Sequence, residues 1–221
     1  MKIPRTKQEI HFIAGFLIVI ALIMLFVTFH DNSFHYLDHI TETLVTVDEN
    51  DLVLHDLGFY VLYEETLGND MANTYDSDKP TDFWSKHTNG AFMNGTARRS
   101  AIDMMIHDEI FYQMALSVQT SLTDSELLVL EERFQDFLNP ITAEQMTAVG
   151  MTEDDIHETM EKMAIAEKYM IQYASEHGGY YEEYNITGDA YQKLLTEHTI
   201  KENTYLINQL NFGKISINQP E

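Results

Sequence analysis

The run FIAGFLIVIALIMLFVTF, residues 12 to 29, sets the first constraint on the chain. Its 18 residues carry no charge, which is long enough for a transmembrane helix. Lys2, Arg5 and Lys7 precede it, and Asp31, Asp38, Glu42 and Asp48 follow it before the next basic residue, Lys79. The positive-inside rule then places the N-terminus in the cytoplasm and the remainder outside. A basic stretch ahead of an apolar one also opens a cleavable signal peptide, but this run is long and no small-x-small site follows it. The expectation is a cytoplasmic tail over 1–11, an uncleaved single-pass signal anchor over 12–30, a juxtamembrane segment over 31–43 and an extracytoplasmic domain over 44–221. Contact with the lipid bilayer would run through residues 12–29.

The chain has 221 residues, of which 44% are apolar, enough for one sizeable core and too few for several independent domains. Beyond residue 30 it holds 10 basic residues against 35 acidic ones, a formal charge of −25. That field repels nucleic acid and anionic headgroups, and it favours solubility or the attraction of cationic clients. No cysteine is present, which removes disulfides, thiolate catalysis and a lipidated cysteine anchor.

Along the domain, LVTV at 44–47 has the β-branched content of a short strand, and DEND at 48–51 breaks it. Leu54, Leu57, Phe59, Val61 and Leu62 then predict an amphipathic helix, followed by a turn-rich loop over 68–97 with Asn89-Gly90 and Asn94-Gly95. About 80 helical residues come next. Ile102, Ile106, Ile110 and Met114 stand four apart as one apolar stripe, and Leu127, Leu130, Phe134 and Phe137 make another. Thr123 with Glu126 and Thr142 with Gln145 are capping boxes, Gly150 is a left-handed helix stop, and Thr152 caps the helix that carries Met160, Met163 and Met170. The tail NFGKISINQP alternates like a late strand, fit to pair with the early one.

Chemistry-bearing patterns are sparse. His35 and His39 with Asp38 stand at a spacing that could share a zinc ion on a helix, but no second cluster completes the set. There is no nucleophile elbow and no phosphate-cradling glycine loop, so neither an enzyme nor a cofactor is expected. The methionines stand out instead: 12 in the chain, most of them in the helical region. Methionine adapts to varied apolar shapes and is over-used at promiscuous binding surfaces. Candidate peptide-binding residues are Met104, Met105, Phe111, Met114, Met160, Met163 and Tyr169.

The order of these elements resembles the SurA/PrsA-type extracytoplasmic chaperones. The resemblance is carried by LVTVDENDLVLHDLGFYVLYEE, by the helix ending in Leu122, Thr123, Asp124 and Glu126, and by Gly150, Met151, Thr152, Asp154, Asp155 and Ile156. It spans about 44–175. It implies a mainly α fold, a SurA-N-like helical domain with a small sheet formed by early and late strands, behind the N-terminal transmembrane helix. It also implies a holdase that binds unfolded or extended segments of exported proteins without catalysis. A parvulin-type prolyl isomerase domain, common in that family, does not fit in the 46 residues after Ser175. The alternative is a dedicated accessory subunit that uses the same domain to bind one partner in a membrane complex.

Overall fold

The early β-branched run forms strand β1 (Thr43–Val47), which turns at Asp48, φ +55°, into antiparallel β2 (Asn50–Val53). In this computed structural model, residues 18–20, 34–76, 78–88 and 90–218 are described, and the chain divides into two units, 1–35 and 36–221. Within the second unit a small hairpin, β3 (His87–Thr88) and β4 (Ala91–Phe92), turns at Gly90, whose φ of +90° suits glycine. The other edge of β1 pairs antiparallel with β5 (Ile200–Glu202), so that Val47 faces Asn50 on one side and Ile200 on the other. The Asp48 carboxylate accepts a hydrogen bond from the Thr199 backbone N–H and contacts the His198 ring, each at 2.7 Å. Both hold its carboxyl below the ordinary aspartate range, the Thr199 bond foremost. The turn of the early hairpin is thereby locked to the late strand.

The helices follow in order: α1 (Gly58–Tyr75), α2 (Met93–Ser117), α3 (Asp124–Leu138), α4 (Ala143–Val149), α5 (Glu153–Glu176), α6 (Asp189–Leu195) and α7 (Thr204–Gln209). Thr123, Thr142 and Thr152 each accept the backbone N–H three residues on, and each third residue's side chain reaches back to the cap. Gly150 ends α4 at φ +69°. The core lies where α2 packs along α5 and across α1. Ala97, Ala101, Ile102, Met105, Ile106, Ile110, Phe111 and Ala115 form the buried face of α2. Four residues advance 400° around a helix, so a strict four-residue stripe rotates by 40° per step. By Met114 the stripe has turned away, and Ala115 is buried in its place.

Several expectations are corrected. The foremost is the N-terminal transmembrane helix: among the described residues no helix is long and apolar enough to cross a membrane. Of the run 12–29 only residues 18–20 are described, as helix, and the rest of that expected span lies outside the described residues. The helices of 18 residues or more, α1, α2 and α5, all carry charged residues within them. What the structure supports is a mainly helical fold with a small sheet.

Residues 50–53, read from sequence as a break and a helix start, are the second strand of the early hairpin. Asn94-Gly95 opens α2 rather than a turn. The late strand is Ile200–Glu202, and the tail after α7 forms no strand over its described residues, through Asn218. Its backbone donors are taken elsewhere. Glu65 of α1, with no exposed surface, accepts the N–H groups of Gly213, Ile215, Ser216 and Ile217 and the Ser216 hydroxyl, at 2.5 to 3.2 Å. Burial raises its carboxyl above the ordinary glutamate range, while the bonds from Ser216, Ile215 and Gly213 pull it back down. Trp84 packs against the strap, with Gly213 on the pyrrole part of its ring and Gly68 of α1 at the benzo edge; a Cβ at either glycine would run into the indole.

Replacing Glu65 by Ala is expected to leave several buried N–H groups without an acceptor and to destabilise the protein by about 3 kcal/mol. Gly68→Ala is expected to cost about 1–3 kcal/mol through overpacking against Trp84. Urea unfolding followed by Trp84 fluorescence measures both; an unchanged midpoint for Glu65→Ala would show that the strap does not depend on the carboxylate.

Candidate functional site

Helices α1, α2, α3 and α5 bound a cavity of about 1060 Å³. Its inner wall is apolar and soft. Phe59 and Tyr60 come from α1, Met104 from α2, and Met160, Met163 and Met170 from α5. The opposite wall is α3, which contributes Val129, Leu130 and Phe137. Only Leu130 and Phe134 of α3 are buried, and Phe137 stacks on Phe59 with ring centroids 4.6 Å apart. The helix thus rests on the body along a narrow line rather than sinking into it.

Polar groups brace this arrangement. The Tyr60 hydroxyl donates to Asp108 at 2.9 Å, and His107 lies 3.1 Å from Asp108 and 2.9 Å from the Tyr184 carbonyl. Burial, and then the charge of Asp108, push the Tyr60 hydroxyl well above the ordinary tyrosine range, so it stays a neutral donor. At the rim, Lys168 of α5 donates to Glu126 at 2.6 Å and Arg133 of α3 to Glu167 at 3.0 Å. The first pair shares its carboxylate with the Thr123 cap. Lys168 and the cap together bring the Glu126 carboxyl down to about 2. Tyr63, Val129 and Ile171 line the cavity and are each more than 40% exposed, so its apolar surface continues to solvent. Exposed apolar surface joined to a cavity is the usual mark of a binding site.

Of the residues expected from sequence, Met104, Met160 and Met163 line this cavity. Met105, Phe111 and Tyr169 are buried and do not line it. Met114 is half-buried and also lies outside the lining. The difference is rotational. Met104 and Met105 are neighbours 100° apart on α2, so one faces the cavity and the other the core. Sequence reasoning missed Phe59, Tyr60 and Phe137 as cavity residues. The stripe containing Phe137 was visible, but a stripe facing a cavity and one facing a filled core have the same period.

Residues 35 to 39 do not assemble a metal centre. The short 3₁₀ helix there begins at Tyr36, leaving His35 outside it, and the His39 ring contacts Glu42 at 2.7 Å. Among the described residues no group of three or more His, Cys, Asp and Glu side chains is placed to hold a metal ion.

No family model, curated protein or solved structure matches the chain. The chemistry of the cavity therefore carries the functional reading.

Because the Glu126 carboxyl is lowered in the folded state, its contribution is fully present above the ordinary glutamate value of 4.5 and is lost as pH falls towards about 2. Acidification through that window is expected to loosen the first turn of α3, where Glu126 holds the Thr123 cap and Lys168, before the body unfolds. Amide hydrogen exchange of α3 against α5 reads this; equal protection of the two helices down to the global acid transition would contradict it.

Proposed function

We propose that the protein is a chaperone-like holdase that binds apolar stretches of unfolded or extended polypeptide in the cavity under α3, without catalysis. The observation that carries this reading is the cavity wall: methionine and aromatic side chains from three helices, open to solvent through Tyr63, Val129 and Ile171. Unbranched, polarizable side chains accept many shapes at low cost, which suits weak and promiscuous contact. Each apolar client side chain buried there would contribute about 1.5–3 kcal/mol before the cost of ordering the client.

Two further features support it. The resemblance to SurA/PrsA-type chaperones implies an early strand completed by a late one, and β1 pairs with β5. The formal charge of −23 also favours clients of net positive charge, by steering them to the protein and repelling acidic ones.

The test is aggregation suppression by the full chain on several unrelated unfolded proteins, beside a Met160→Ser/Met163→Ser variant. Suppression is expected across clients, faster for basic ones and slowed by salt. The variant is expected to keep its helical content and to bind about tenfold or more weakly, the loss of two apolar contacts. Absence of suppression for every client, or full suppression by a folded variant, overturns the reading.

A further inference from the structure

The large cavity is apolar over most of its wall, yet four carboxylates also line it: Asp108 of α2, Glu126 and Asp136 of α3, and Glu167 of α5. Two of them are matched. Lys168 closes on Glu126 and Arg133 on Glu167, which occupies the lysine and the arginine of the lining. Among the described residues no lysine or arginine pairs with Asp108 or Asp136. Asp136 is exposed, and water screens it. Asp108 is more enclosed, its side chain being 20% exposed.

The neighbours of Asp108 hold it in place without using up its oxygens. The Tyr60 hydroxyl donates to Oδ2 at 2.9 Å, and the His107 ring lies 3.1 Å from Oδ1. A carboxylate oxygen accepts about two hydrogen bonds, so each oxygen keeps room for one more. Asp108 lines the cavity, and that room is open to whatever fills it. Met104 stands four residues before Asp108 on α2 and lines the cavity too, so a methionine and a carboxylate share one helix face a single turn apart.

We propose that the cavity selects client segments in which a lysine or arginine stands among apolar residues, and that Asp108 is the residue that selects them. The inference rests on the holdase reading and names its client. A long basic side chain lays its apolar stem along Met104 and brings its charge to Asp108. A wholly apolar segment over the same ground strips water from the carboxylate and gives nothing back, and a client carboxylate adds like-charge repulsion. The carboxylate is present with or without a client, so what decides is the difference between covering it paired and covering it unpaired. Steering by net charge is a separate effect: it acts at long range on any basic chain, wherever its basic residues lie.

The full chain is titrated, by fluorescence anisotropy, with labelled peptides of one apolar sequence. They carry lysine, norleucine or glutamate at the centre, or norleucine at the centre and lysine at one end. The central-lysine peptide is expected to bind about tenfold more tightly than the norleucine peptide, with the glutamate peptide weakest and the terminal lysine gaining little once salt screens the long-range field. Asp108→Asn, whose side-chain oxygen still accepts from Tyr60, is expected to remove the central-lysine advantage and to bind the norleucine peptide at least as well as before. Glu132→Gln, which removes the same charge from an exposed position of α3 outside the cavity lining, is expected to keep that advantage. An equal gain from central and terminal lysine overturns the proposal, as does a central-lysine advantage that survives in folded Asp108→Asn. The first of these comparisons uses the unaltered chain, so it decides even where Asp108→Asn does not fold. A norleucine peptide that binds as tightly as the central-lysine one sinks the selection and leaves the holdase reading standing; no binding of any peptide overturns both.

Discussion

A carboxylate with no exposed surface ties the end of the described chain to its first long helix. Glu65 gathers the backbone N–H groups of Gly213, Ile215, Ser216 and Ile217, and the Ser216 hydroxyl, around two oxygens. Burying a carboxylate is costly unless its lone pairs are occupied, and here five donors occupy them. The consequence spreads outward. The strap is held against α1, Leu210, Phe212 and Ile215 are buried beside it, and Trp84 is fixed between Gly68 and Gly213. A second long-range tie, Asp48 to His198 and Thr199, closes the other junction between early and late segments. Both ties use a side-chain acceptor to satisfy backbone donors more than a hundred residues away.

Against this closed body, α3 is held differently. It contributes two buried side chains, the Phe137–Phe59 stack, an edge contact of Phe134 with His157, and exposed charged contacts to α5 from Glu126, Glu131 and Arg133, and it leaves Leu127, Leu128 and Val129 exposed. Exposed ion pairs are worth little. The helix is therefore the least embedded of the four that bound the large cavity, and the softest side chains of the body, Met104, Met160, Met163 and Met170, face it. A lightly held wall over a floor of adaptable methionines is the arrangement that the proposed holdase reading calls for.

Much of the helical layout was legible in the residues themselves. Thr123, Thr142 and Thr152 announce their helices because a hydroxyl that accepts the N3 N–H is a local interaction, complete within four residues. Gly150 announces a stop for the same reason, since the left-handed conformation is a property of one residue. The site was half legible. Methionine content pointed to two of the helices that bound the cavity, but Met104 and Met105 differ only by rotation, and Phe59 and Phe137 become a pair only when α1 and α3 meet.

Sequence by itself determined the mainly helical class, the caps, the acidic surface and the early strand, because propensity, capping and charge act over a few residues or over the whole composition. Tertiary structure decided which late segment pairs with β1, which face of each stripe meets a cavity, and what the tail does. The tail alternates like a strand, and an unpaired strand would have served it as well. It is a strap because a carboxylate 148 residues earlier in the chain takes its N–H groups, and nothing local in either segment encodes that meeting.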